Sequence, residues 1–430
     1  MSVATDTPSG TTWAGLTRMQ THIFISQGVA AYRLPFVFAL SDDESIASVE
    51  RRLRAAVHAA PSLACRYVLD PATGAFEQHH APELVDALVV SDRGTWRGTL
   101  EEACAVRDHA PSLRTGLPVA ASVVTVDGAR HLVVEFHHIA IDGPGAALFE
   151  QLLLSRHASA VGPAITAVTD PGTVLTAYAR IAERESAHPH VRPVTSLSPA
   201  GPVGPVGRAA DPRLGRCART VATRDVRQLA RSQRAFPRVV LQAGFEAWLA
   251  ERHPGCGYAW VGSWRWTLGL TEVVGNFPVL LARPTPQPMS LTERIADLME
   301  RTGDPAVDAD AEIADAAGVV FSYEDFHQAA GRYVPVDTHP RFALYVRVVT
   351  GADETELTVE FDRRVVSDAM ATEALEALAA FAVSGAAEDR SPPPSTPSTT
   401  PSTTPSTTPS DPPHQLVQGV ALDCSTEEDQ

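Results

Sequence analysis

Lysine is missing from this sequence. All 35 lysine-or-arginine positions are arginine, set against 51 carboxylates, and the formal net charge is −16. The absence goes with much alanine, a compositional bias from which no mechanism follows. The acidic balance argues against general nucleic-acid binding, which needs a basic footprint. Cysteine is scarce as well. Cys65, Cys104, Cys217, Cys256 and Cys424 are odd in number and scattered, with no CxxC pair, so neither a disulfide framework nor a zinc knuckle is expected. No segment approaches a membrane-spanning length, and no basic start leads into an apolar N-terminal stretch. The expectation is a soluble cytoplasmic protein. Without a GxSxG elbow, a Walker loop or a GxGxxG, a serine hydrolase, an NTPase or a dinucleotide enzyme is disfavoured.

What is present is apolar material for one large core or two smaller ones: 44% of 430 residues, with a mean hydropathy near zero. The stretch 41–60 reads as an amphipathic helix with Ile46, Val49, Leu53 and Val57 inward. Strand-like runs follow at 65–69 and 76–79. A helical "TLEEACAVRDHA" then precedes two apolar strands, "VAASVVTV" at 119–126 and "LVVEF" at 132–136. "SLSPAGPVGPVGRAADPRLG", 196–215, is rich in Pro and Gly and reads as a connector. Helices at 225–234 and 239–252 follow it, then strands at 258–262 and 279–283, "FALYVRVVT", "TELTVEFD" and a closing helix at 367–380. Strands and helices mix in both halves, which makes the fold class α/β with two layers of similar size. From Ser391 the composition changes. Pro397, Pro401, Pro405 and Pro409 recur every fourth residue, a pattern that buries nothing and stays extended or disordered. The terminal "HQLVQGVALDCSTEEDQ" is either a dispensable tail or a tethered docking peptide.

The chemistry concentrates in "HLVVEFHHIAIDG", 131–143. An apolar strand ends on two histidines, and Asp142 and Gly143 follow before a helical "GPGAALFEQLLL". Imidazole titrates near neutrality, which suits it to deprotonating an amine or hydroxyl nucleophile. Strand alternation sends His137 and His138 to opposite faces, so only one of them can face a given cleft. By average residue usage the pattern HHxxxDG arises by chance in roughly one chain in a thousand of this length. His79 and His80 lack the Asp-Gly sequel and read as a strand end. "HPH" at 188–190 has no obvious further ligands for a closed zinc site. Arginines 216, 219, 224, 227, 231, 234 and 238 crowd one region, either as a solvated helix face or as a patch attractive to an acidic partner.

HHIAIDG resembles the HHxxxDG signature of condensation domains from nonribosomal peptide synthetases, members of the chloramphenicol acetyltransferase-like superfamily. The resemblance covers roughly Leu16 to Phe381. "LTRMQTHIFI" resembles the family's opening signature, and "LACRY" its LRTRF segment. "YAWVGSWRWTLGLTEVVGNFPVLLARP" resembles its later region through an arginine to G-x-F-V-N-T-L. "LTVEFDRRVVSDAMATEAL" resembles its final strand and helix. By this resemblance His138 is the active-site histidine and His137 its structural neighbour. Asp142 would point away from the imidazole and pair with an arginine, for which Arg265 in "SWRW" is the match and Arg283 the next in line. Gly143 would permit the tight turn. The implied fold is two acetyltransferase-like lobes in a V-shaped pseudodimer, 1–195 and 216–385, joined by the connector 196–215 and followed by the tail 386–430. A tunnel would pass His138 from both sides, entered by the phosphopantetheine arm of a carrier protein. No tightly bound cofactor and no metal are implied.

Two departures stand out. Gly145 replaces the serine often found two residues after the Asp-Gly pair, and Val279 stands where the family has asparagine, with Asn276 instead preceding Phe277. The expected function is a stand-alone, monomeric condensation enzyme joining an acyl or peptidyl thioester on a carrier protein to an amine or hydroxyl acceptor. Its partners would be carrier proteins, with neither nucleic acid nor membrane. Backbone donors near Gly143 would assist at the oxyanion. The alternatives are an acyl-CoA-dependent acyltransferase and a catalytically idle condensation-like module that recruits other enzymes.

Overall fold

In a computed structural model of the chain, the described residues are 13–25, 32–106, 110–113, 116–154, 170–188, 190–191, 213–265, 267–283, 289–301, 313–314, 318–324, 332–334, 336 and 340–385. The first half gives β1 (Trp13–Gly15), α1 (Arg18–Ile25), β2 (Arg33–Ala39), α2 (Ile46–His58), β3 (Cys65–Leu69), β4 (Phe76–His80), α3 (Pro82–Asp86), β5 (Val90–Trp96) and α4 (Leu100–Ala105). It continues through β6 (Val119–Val126), β7 (Ala129–His137), α5 (Gly143–Leu154), α6 (Pro171–Ala187) and β8 (His190–Val191). The second half gives β9 (Leu214–Ala222), α7 (Thr223–Ser232), α8 (Pro237–Arg252), β10 (Tyr258–Ser263), β11 (Pro278–Arg283), α9 (Leu291–Arg301) and β12 (Ile313–Ala314). Then come β13 (Val319–Glu324), β14 (Arg332–Tyr333), β15 (Leu344–Thr350), β16 (Glu354–Asp362) and α10 (Asp368–Ser384). Met1–Glu388 form one compact unit and Asp389–Gln430 a second, and the second, with its proline repeat, lies outside the described residues.

Helix boundaries follow local chemistry. α2 begins at Ile46, the first residue of the apolar periodicity and later than the stretch read from 41, because the Ser45 hydroxyl accepts the Ser48 N–H and caps the helix there. α4 is half as long as its twelve-residue sequence pattern: it starts on a Thr99–Glu102 capping box, but the Arg33 guanidinium takes the carbonyls of Cys104 and Val106, and the chain turns extended at Val106. α10 starts on the Ser367 cap and stops at Gly385, whose φ of 68° lies in the left-handed region.

Three sheets result: β1-β4-β3, β14-β2-β7-β6-β5 and β8-β12-β11-β10-β13-β15-β16-β9. β6 and β7 form a hairpin over Asp127 and Gly128, both at positive φ, as a two-residue Asp-Gly turn requires. That turn fixes the register, with Val119 opposite Phe136, and so fixes where β7 delivers its histidines. Phe136 packs edge-on against Phe149 at 5.0 Å, which seats α5 on the sheet. Two short edge strands cross between the halves. β14, from the second half, pairs with β2, and β8, from the first, pairs with β12. The Pro/Gly connector is also shorter than its composition implies, because Leu214 and Gly215 already belong to β9, opposite Asp362 and Phe361.

Candidate active site

β7 carries the histidines to the edge of its own ladder. The His137 N–H donates to the Pro118 carbonyl and the His138 N–H to the Tyr32 carbonyl, both at 2.8 Å. The chain then tightens, with the Ala140 N–H on the His137 carbonyl at 3.1 Å. It is next tied across to the second half by the Asp142 N–H on the Gly275 carbonyl at 3.0 Å.

His137 and His138 part company as alternation requires. His137 is buried, and the Ile139 N–H donates to its Nδ1 at 3.3 Å, so that nitrogen is the acceptor. Burial, with the neighbouring His138, pushes its pKa down to about 3. His138 is half-buried, and its Nδ1 lies 2.8 Å from the Ile141 carbonyl. A carbonyl oxygen only accepts, so Nδ1 carries the proton and Nε2 presents a lone pair. Burial holds the His138 pKa below the ordinary value. The nearby Arg341 cation adds to this, while the Ile141 hydrogen bond and Asp142 oppose it. At neutral pH the ring is therefore a neutral imidazole in one fixed tautomer.

Asp142 and Arg265 form a bidentate buried pair, Arg265 Nε to Oδ2 at 3.0 Å and Nη2 to Oδ1 at 2.5 Å. Arg265 spends its other donors on the carbonyls of Leu270 (2.8 Å), Val273 (2.6 Å) and Gly275 (3.0 Å), so its five N–H bonds meet five oxygens. The carboxylate also accepts the N–H groups of Gly145 at 2.8 Å and Phe277 at 3.1 Å. Arg283 belongs elsewhere, between Glu246 and Asp297.

Gly143 opens α5 without a left-handed φ. The glycine the junction needs is Gly145. A Cβ on it would lie 2.9 Å from the Gly275 carbonyl oxygen, 3.0 Å from Asp142 Oδ1 and 3.1 Å from Arg265 Nη2. A serine would press on the ion pair itself. Of the backbone donors in this turn, those of Asp142, Gly145 and Ala146 are committed and Pro144 has none.

Two neighbours, Arg341 and Glu185, escaped the sequence reading, which names Asn276 only as a departure from the family's pattern. Arg341 sits between a proline and a phenylalanine with no periodic signal, and its guanidinium lies over the Tyr345 ring at 5.2 Å. Asn276 is buried with neither side-chain polar atom hydrogen-bonded, while its N–H donates to Tyr178 Oη at 2.9 Å. Glu185 is buried on α6, accepting the Arg18 N–H at 2.8 Å and the Trp264 Nε1–H at 3.3 Å, and burial pushes its carboxyl up to about 7. A signal for Glu185 existed: Val174, Tyr178, Ile181 and Glu185 share one inward helical stripe. Of the other histidines, His80 ends β4, and His188 Nδ1 meets the Arg184 carbonyl at 2.7 Å. Among the described residues no group of three or more His, Cys, Asp or Glu side chains is placed to hold a metal.

Neither a family model nor a curated protein matches the sequence. Solved structures do match the fold. A structure from condensation domain-mediated chain release in the enacyloxin polyketide synthase aligns with a TM-score of 0.61 at 16% identity, over 90% of this chain and 86% of the other. The first condensation domain of the calcium-dependent antibiotic synthetase, in complex with a substrate analogue, gives 0.57 at 20% identity, over 87% and 98%. The starter condensation domain of rhizomide synthetase, in complex with C8-CoA, gives 0.59 at 14% identity, over 87% and 96%. With the HHxxxDG loop held at the end of β7, this chain has the fold of a condensation domain.

Proposed function

We propose that the protein is a condensation enzyme that transfers an acyl or peptidyl group from the phosphopantetheine thioester of a carrier protein to an amine or hydroxyl acceptor. The observation that carries this reading is the fixed tautomer of His138, with Nδ1–H on Ile141 and the Nε2 lone pair left to act. Nε2 takes the proton of the acceptor as its nitrogen or oxygen attacks the thioester carbonyl. The carbonyl oxygen gathers negative charge, the new C–N or C–O bond forms, and the C–S bond breaks. The thiolate leaves and recovers the proton from the imidazolium, so the histidine ends as it began. A depressed pKa suits this role, because it keeps Nε2 unprotonated at neutral pH.

A second reading has the acyl group supplied by CoA, favoured by the fold's similarity to a starter domain solved with C8-CoA. Intact-mass analysis of acyl-loaded carrier proteins, with acyl-CoA in a parallel arm, separates the two donors. His138→Ala should cut product formation by about two to four decades and leave the melting temperature unchanged. In the wild type the acid limb of the kcat profile should lie below the ordinary histidine value. Near wild-type turnover in His138→Ala would end the general-base reading.

A further inference from the structure

Most arginines on this surface that face a helix or strand neighbour find a carboxylate. Arg219 pairs with Glu376, and Arg252 with Glu373 at 2.7 Å. The outer face of α7 is different. The helix buries Thr223, Val226, Leu229 and Ala230 and turns Arg224, Arg227 and Arg231 to solvent, with Arg234 exposed just past its end. These positions fall at i, i+3, i+7 and i+10, one stripe of a helix. Arg224 meets only its neighbour Asp225, at 3.5 Å and with the side chain 86% exposed. Arg227, Arg231 and Arg234 have no carboxylate within ion-pair reach among the described residues.

Arg234 breaks a local rule as well. α7 ends in a Schellman turn, with the Ala235 N–H on the Ala230 carbonyl at 3.0 Å and the Arg234 N–H on the Arg231 carbonyl at 3.1 Å. Arg234 at its centre takes a φ of 51°, a conformation that glycine adopts freely and that residues with a Cβ adopt rarely. Arginine there opposes the fold's own preference. Phe236 follows directly and is 64% exposed.

We propose that this stripe is a docking surface for an acidic helix of a partner protein. Four cations spread over about 15 Å match carboxylates spaced along about three turns of a helix. Phe236 offers an apolar anchor at one end, the mixture that gives an interface specificity as well as charge. Nucleic acid or an anionic bilayer is a poorer occupant, because either extends its charge far beyond the four arginines onto a chain that carries −16 overall. The inference goes beyond the reaction at His138 and uses none of its residues.

The probe is a fluorescent helical peptide of about 14 residues with glutamates on one stripe and a terminal leucine, titrated with the full chain by anisotropy at low salt. Arg227→Glu/Arg231→Glu should weaken binding by more than about tenfold, and added salt should weaken it in the wild type. Arg234→Gly discriminates most sharply. It should raise the melting temperature by about 1–2 °C while binding falls. Unchanged affinity in the charge-reversed variant would overturn the proposal. So would equal binding by an oligodeoxynucleotide of the same charge or by phosphatidylglycerol vesicles, or a lower melting temperature in Arg234→Gly. The readout is binding, so failure of the catalytic reading leaves it standing, and the reverse.

Discussion

At the level of single residues, the hinge of the site is the Asp142 carboxylate. It accepts two N–H bonds from Arg265 and two from the backbone, and Arg265 has no donor left over. Removing either partner strands a buried charge, a loss of about 3–5 kcal/mol. Asp142→Ala and Arg265→Ala should therefore each lower the melting temperature as well as activity. The double variant should be less destabilised than the two losses added, because neither charge is then left alone. Calorimetry on the four proteins of the cycle checks this, and additive losses would mean that the two side chains act separately. The pair was legible in the sequence only through a resemblance, because the two residues stand 123 positions apart and no local pattern links them. Gly145 was visible as a departure but not explicable. Its reason is a carbonyl of the other half of the chain, 2.9 Å from where a Cβ would stand.

Among the elements, α6 has a property its apolar stripe conceals. Unfolded, Glu185 sheds its proton near 4.5; folded, it keeps it to about 7. Between those values the folded state binds more protons, so stability falls as pH rises, by about 1.4 kcal/mol per pH unit. His137 on β7 works the other way. Unfolded it takes a proton near 6.5, but folded only at about 3, so stability falls as pH drops below 6.5. From 4.5 to 6.5 the two slopes oppose each other. Glu185→Gln should remove one of them, and its melting temperature should then climb with pH across that window where the wild type stays nearly flat. A thermal scan at half-unit intervals reads it directly. Elements with strong periodicity were legible from sequence: β3, β6, β15 and β16 fall within a residue or two of their apolar runs. α2 and α4 were not, at their ends, because a serine hydroxyl and a distant guanidinium decide where they begin and stop. β8, β12 and β14 were invisible. Two-residue strands have no period, and their partners lie far away in the chain.

For the whole molecule, those short strands matter out of proportion to their length. β14 completes a sheet made otherwise from the first half, and β8 an edge of the sheet made otherwise from the second. The sequence suggested two lobes divided at a connector. The described residues show halves that exchange edge strands and share the Asp142–Arg265 pair. Expressed separately, 1–195 and 216–385 should each aggregate, one with an open edge at β2 and an unpaired buried carboxylate. Co-expression should restore a soluble complex, and size-exclusion chromatography distinguishes the outcomes: two separately soluble, folded fragments would show the exchange to be dispensable. The order of strands has a mechanical corollary. β16 is the last strand among the described residues, yet it lies inside its sheet, between β15 and β9, along nine residues of ladder with β9. A pulling force from the C-terminal side can unzip α10, but it then meets a strand that has no free edge to peel. Two ladders must shear together before the chain yields further, so an unfolding motor pulling from the C-terminal side would stall at the sheet that carries Arg283 before it reached the histidine loop.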